Sequence, residues 1–228
     1  MVEIPSLSGE ESALAGFLVE TMQGLGFDAR VDEAGNAVGI LGDGPAEIVL
    51  LGHMDTVPGA VPVRVEDGKL YGRGSVDAKG PLAAFIAAAA EVGRRPGKRL
   101  VVVGATEEEA ASSKGARHVA RTFAPTCCII GEPSGTRAIT LGYKGRIVLA
   151  YEARAATTHS AAPGDNVLEE GVEFWNRLRL WAEKFNVGKA MFDRLDPALR
   201  EIQSKNDGLT ESLALRASVR IPPGLTSG

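Results

Sequence analysis

Six side chains of the kinds that hold metals or move protons, His53, Asp55, Asp77, Glu107, Glu108 and Glu132, mostly sit just past short apolar runs that read as strands. One imidazole and several carboxylates converging in a cleft pose a chemical problem. Ionised carboxylates repel one another unless they are protonated or neutralised by a cation. A dinuclear metal centre answers it best: two divalent ions bring four positive charges, which one His and three or four carboxylates largely offset while leaving a position for water. Taken singly, each signal has a plainer reading. A lone His at a strand end is more often a structural group than a ligand, and Glu107-Glu108-Glu109 alone reads as a solvated helix start. The His53-x-Asp55 spacing favours the ligand reading, since a carboxylate two residues on can hydrogen-bond the second ring nitrogen and fix the ligating tautomer. Gly72-Arg73-Gly74-Ser75-Val76-Asp77 lacks the final glycine of a dinucleotide loop and follows no clean strand. Neither a Gly-x-Ser-x-Gly elbow nor a phosphate loop ending in Gly-Lys-Ser/Thr occurs, so serine-hydrolase and nucleotidase chemistry has no anchor.

The elements that must position these residues follow from periodicity. Ser8 to Gly24 is predicted helical, capped by Ser8, with Leu14, Phe17, Leu18 and Met22 at helical spacing. Ala29–Asp32, Ala37–Leu41, Ile48–Leu51, Leu100–Val103 and Cys127–Ile130 read as strands, and the unbroken apolarity of the middle ones predicts burial on both faces. Lys79–Arg94 and Ser112–Phe123 read as helices between them. This β-α-β-α-β alternation predicts an α/β fold with a mostly parallel sheet flanked by helices. The chemical residues then lie at the carboxyl edge of the strands, where open sheets bind ligands. Beyond Gly142–Gly145 the character changes: strand Ile147–Ala153, long helix Asn166–Phe185, a second helix over Asp196–Ser204 and strand Ser212–Ile221 predict a separate small α+β domain.

Composition bounds the function classes. The chain has 228 residues, 44% hydrophobic and 24% charged, with a formal net charge of −4. That is a globular profile, and the mild acidity argues against a general nucleic-acid or anionic-membrane binder. The longest apolar run, Leu82 to Ala90, falls far short of the roughly 20 residues of a membrane-spanning helix, and no basic-then-apolar leader opens the chain. A cytoplasmic location is expected. Cys127 and Cys128, adjacent on a strand, point to opposite faces and read as buried thiols.

Four motifs in order, Gly52-His53-Met54-Asp55-Thr56-Val57-Pro58, Gly72 to Gly80 with Asp77-Ala78-Lys79-Gly80, Thr106-Glu107-Glu108-Glu109 and Gly131-Glu132-Pro133-Ser134, resemble the series of the co-catalytic zinc aminoacylase/carboxypeptidase family. That family includes acetylornithine deacetylase, succinyl-diaminopimelate desuccinylase and glutamate carboxypeptidase. Within it, Ala105 to Gly115 and Thr140 to Arg146 are most similar to the [LysW]-lysine/ornithine hydrolase branch, which cuts the amide joining lysine or ornithine to a glutamate on an acidic amino-group carrier protein. The resemblance implies a zinc-dependent amidohydrolase of lysine and arginine biosynthesis. The alternatives are a deacylase of the acetylornithine or succinyl-diaminopimelate type and, from another class, a metal-binding or interaction protein without turnover.

Residue by residue, the resemblance implies two Zn2+, with Co2+ also fitting the ligands: His53 and Glu132 on the first ion, Asp77 bridging, Glu108 on the second. Asp55 would orient His53, and Glu107 would be the general base. This register rests on counting from the preceding strand, with Glu108 and Glu109 as the one-residue alternative. His159 resembles a lid histidine that steadies the oxyanion in a neighbouring subunit's site. Asn166 and Arg220 match positions that hold the substrate's α-carboxylate. The resemblance further implies residues 1–143 as a catalytic domain, 144–228 as a lid and dimerisation domain, and a homodimer. Lys114, Arg117, Arg121, Arg137, Lys144 and Arg146 are candidates for docking the acidic carrier. It covers about the first two thirds of the family pattern. A later segment would supply a final His to the second ion, yet His53, His118 and His159 are the only histidines, so the expectation is a truncated chain with the second site one ligand short and its first-domain helices partly uncovered.

Overall fold

A computed structural model describes residues 1–135, 137–157 and 166–225. Two compact units emerge, Met1–Ala138 and Ile139–Gly228. In chain order the first holds α1 (Ser12–Gly24), β1 (Asp28–Val31), β2 (Ala37–Leu41), β3 (Ala46–His53), β4 (Arg64–Glu66), β5 (Lys69–Tyr71), α2 (Lys79–Val92), β6 (Lys98–Ala105), α3 (Lys114–Thr122) and β7 (Cys127–Ile130). The second holds β8 (Gly145–Ala156), α4 (Val167–Asn186), a 3-10 turn at Met191–Asp193, β9 (Asp196–Asn206) and β10 (Thr210–Ile221).

The first unit is an α/β layer structure around a five-stranded sheet ordered β1-β2-β6-β3-β7. β3 lies parallel to both β6 and β7, while β1 and β2 extend the sheet antiparallel. Val101, Val102 and Val103 are fully buried, alternating between two cores. Leu14, Leu18 and Met22 of α1 and Leu82 and Ile86 of α2 pack with Val102 on one side; Val119 of α3 packs with Val38, Val49, Val101 and Val103 on the other. Each large side chain so buried contributes about 2 kcal/mol. The parallel register sets Gly52 beside Gly104, His53 beside Ala105 and Leu51 beside Ile130, so the three strands end level at one edge.

Four sequence expectations change. α1 begins at Ser12, because the Ser8 hydroxyl is engaged by Asp55 and does not cap the helix. Residues expected as a second helix from Asp196 to Ser204 form β9, paired along its length with β10. The Asp207-Gly208 turn decides this: Asp207 Oδ1 accepts from the Leu209 and Thr210 amides and folds the chain into a hairpin. A second Asp-Gly turn, Asp67-Gly68, with both residues at positive φ, closes the hairpin β4–β5, which periodicity left unassigned. Cys127 and Cys128 are exposed instead of buried, since β7 is an outer strand of the described sheet.

The second unit is a three-stranded antiparallel sheet, β8-β10-β9, with α4 packed on it through Ala182, Leu178 and Phe185 against Leu149, Val219 and Ile221. Asn166 caps α4, its Oδ1 accepting from the Leu168 amide at 2.7 Å. Among the described residues no helix is long and apolar enough to cross a membrane.

Candidate metal centre

The level strand ends bring the chemistry together. His53 closes β3, the acidic loop Thr106–Glu109 follows β6, and Glu132 follows β7 after Gly131, whose amide donates to the Leu51 carbonyl at 2.8 Å. His53 is buried, with Nδ1 3.0 Å from the Asp55 carbonyl and 3.3 Å from Asp55 Oδ1. Nε2 faces the other way, 3.1 Å from Asp77 Oδ1 and 4.0 Å from Glu108 Oε2. Ligating atoms of His53, Glu108 and Glu132 lie within 4.8 Å of one another, as do those of His53, Asp77 and Glu109.

Asp55 is fully buried and does more than face the imidazole. Its carboxylate accepts from Ser8 Oγ at 2.7 Å and from the amides of Glu108 and Glu109 at 3.0 and 2.9 Å. Burial pushes against its ionisation, but the bonds from His53, Ser8 and these two amides hold it down to about 2. The two preceding amides are also held by side chains: Thr106 donates to Asn36 Oδ1 and Glu107 to Glu11 Oε1. Gly115, at the start of α3, lies so close beneath this loop that a Cβ would run into Asn36 and the Thr106 backbone.

The charge balance of the cluster suits a cation. Burial alone would lower the His53 pKa, yet the hydrogen bond to Asp55 and the fields of Asp55, Glu108 and Glu132 carry it to about 9. Burial raises Glu109 and Glu132, and their carboxylate neighbours raise them further. Among the described residues no Lys or Arg pairs with Asp77, Glu108, Glu109 or Glu132. A donor set of one imidazole and four carboxylates, short of positive charge, fits hard or borderline divalent ions.

Sequence reasoning named most of this cluster and missed part of it. His53, Asp55, Asp77, Glu108 and Glu132 are brought together. Glu107 is not: its backbone has φ +54°, its carboxylate accepts from Ser112 Oγ and lies 3.9 Å from Lys114 Nζ, and it joins neither ligand group. Glu109, which enters the expected site only in the one-residue alternative register, lies beside Asp77 and His53. The turn at Glu107 shifts the acidic run by one residue. Glu11, Ser8 and Asn36 carried no motif as chemical groups and emerge only as hydrogen-bond partners. In the second unit Arg220 is exposed in β10, opposite Arg146 and Asp196. Asn166 is engaged as a helix cap, and Lys144 is tied to Asp196 at 2.6 Å, which removes it from the free docking charges. His159 lies outside the described residues.

The profile of peptidase family M20/M25/M40 matches residues 49–218. The chain is 49% identical to a [LysW]-lysine hydrolase of Deinococcus radiodurans over 98% of its own length and 64% of that protein's. It is 39% identical to a protein of Thermococcus kodakarensis provisionally named a [LysW]-lysine/[LysW]-ornithine hydrolase, over 98% of this chain and 61% of that one. The chain therefore spans less than two thirds of the length of these relatives. Its fold is similar to that of a crystallised dinuclear metal binding peptidase of the M20 family from Bacillus subtilis, with a TM-score of 0.56 at 10% identity, over 95% of this chain and 61% of the other.

Proposed function

The chain belongs to peptidase family M20/M25/M40, and from that premise we propose that its protein is a metal-dependent amidohydrolase releasing lysine or ornithine from an acidic amino-group carrier protein. The observation that carries the reading is the cluster at the strand ends: one buried imidazole among four carboxylates with no Lys or Arg partner among the described residues. Likeness to carrier-lysine hydrolases supports the substrate.

His53, Asp77, Glu109 and Glu132 would hold two divalent ions, zinc or cobalt, whose Lewis acidity acts on a water and on the amide carbonyl. Asp55 keeps the His53 Nδ1 proton in place, so that Nε2 presents its lone pair to the cluster. Glu108 takes the role that the motif count gave to Glu107. Its carboxylate accepts the proton of the attacking water and delivers it to the leaving amine, so that C–N cleavage ends in a carboxylate and a free amine. Arg220 would pair bidentately with the α-carboxylate of the released amino acid, and His159 would steady the oxyanion. Residues 1–143 act as catalytic domain and 144–228 as lid and dimerisation domain in a cytoplasmic homodimer.

The test is turnover by the full natural protein of three substrates: the carrier–lysine adduct, acetylornithine and succinyl-diaminopimelate. Hydrolysis of the adduct, lost to a chelator and restored by zinc or cobalt, is expected. Turnover of either small substrate with the adduct left intact would overturn the substrate reading. Two bound zincs with no hydrolysis of any substrate would overturn the enzyme reading.

A further inference from the structure

The acidic loop is tied down by side chains where secondary structure would use main chain: four consecutive amides, Thr106 to Glu109, each donate to a side-chain oxygen from another element. Glu11 is the unusual member of that set. It occupies the N-cap position of α1, where a polar side chain commonly accepts from amides of its own helix. Here it makes no such bond. Its carboxylate, 4% exposed, instead reaches the amide of Glu107 at 2.9 Å.

Glu107 stands at φ +54°, a left-handed conformation that a residue with a side chain enters only at a cost. In that turn the Glu107 carboxylate faces Ser112 and Lys114, and the next two carboxylates face His53. A hydrogen bond from the Glu107 amide to a charged, buried acceptor is stronger than one to a neutral acceptor and offsets the cost of the turn.

Resting on the reading of the cluster as a metal centre, we infer that Glu11 is a positioning residue that sets the register of the triple-glutamate run. By holding the Glu107 amide it keeps that residue in the left-handed turn. It thereby selects Glu108 and Glu109, and not Glu107 and Glu108, to face His53, Asp77 and Glu132.

Zinc titration of the full natural protein against a chromophoric chelator tests this without reference to turnover. Glu11→Gln keeps a weaker, neutral acceptor at the same reach and should lose less zinc affinity than Glu11→Asp. Glu11→Asp keeps the charge one methylene short of the amide, and Asp is a good N-cap, so α1 should not suffer. Its zinc affinity should fall about 10- to 100-fold, as for other groups that orient metal ligands. Glu107→Gly added to Glu11→Asp should restore most of that loss, because glycine enters the left-handed turn freely. Wild-type affinity in Glu11→Asp, or no recovery in the double variant, would overturn the inference. If Glu11→Asp does not fold, Glu11→Ala with and without Glu107→Gly is decisive in its place: weakened zinc binding that the glycine restores supports the inference, and wild-type affinity in Glu11→Ala overturns it. A wild type that takes up no zinc would overturn the metal reading itself, and the register claim with it.

Discussion

At the scale of single residues, the strongest expectation concerns the three glutamates. If Glu108 is the base, Glu108→Gln should lower the rate about 10²- to 10⁴-fold with zinc content kept, whereas Glu107→Gln should change it only slightly. The reverse pattern would return the base to Glu107 and discredit the geometric register. A second expectation comes from His53. Its metal-free pKa of about 9 lies above the ordinary value, so at neutral pH the imidazole carries a proton that a metal must displace. Metal affinity should therefore rise with pH up to about 9 and flatten above it, with about one proton released from His53 per site filled at pH 7. Calorimetric titration at pH 7 in buffers of different ionisation enthalpy reads that proton directly; a binding enthalpy independent of buffer would contradict it.

At the scale of elements, α4 offers a discrimination. The resemblance implies a substrate-carboxylate ligand at Asn166, whereas its side chain caps α4. Asn166→Ala should cost about 1 kcal/mol of stability, seen as a lowered melting temperature. Asn166→Asp caps equally well and should restore it while leaving KM unchanged. A large rise in KM for Asn166→Asp, where the new negative charge repels a carboxylate, would restore the substrate role. On α3, Lys114 is paired with Glu107, which leaves Arg117 and Arg121 as the proposed docking charges of that helix; Arg117→Glu with Arg121→Glu should raise KM for the carrier adduct, more so at low salt, with kcat unchanged. A KM that is indifferent to both charge and salt would remove α3 from the interface. What was legible at this scale follows from how each element is specified. β2 and β7 carry their boundaries in uninterrupted apolar runs, and Lys79 begins α2 as periodicity predicts. β9 carries no strand pattern because its side chains are mostly exposed, so it has no buried face to impose a two-residue period; the Asp207-Gly208 turn and the pairing with β10 form it. The acidic run stayed open between two registers, Glu107 with Glu108 or Glu108 with Glu109, for a related reason. The choice depends on a left-handed Glu107 and on Glu11, 96 positions away in sequence, and neither leaves a mark in local pattern.

At the scale of the molecule, each unit has its own apolar core, one built on Val101–Val103 and the other on Ala182, Leu195 and Val219. All five proposed metal-facing side chains belong to the first unit, since His53, Asp77, Glu108, Glu109 and Glu132 precede Ala138. A ligand stabilises only the cooperative unit that binds it. Calorimetry of this chain should therefore resolve two transitions, of which zinc shifts one. At a free concentration of 100 times Kd that transition should gain about 2.7 kcal/mol, and a chelator should return it to its metal-free position. His53→Ala should abolish the shift and leave the zinc-insensitive transition where it was. Assignment of that insensitive transition is open to an independent check, because Leu195→Ala should lower it alone, by the roughly 2–5 kcal/mol of a buried Leu truncation. If zinc moves both transitions together, the two cores unfold as one cooperative body and the metal's stabilisation cannot be confined to the unit that holds its ligands.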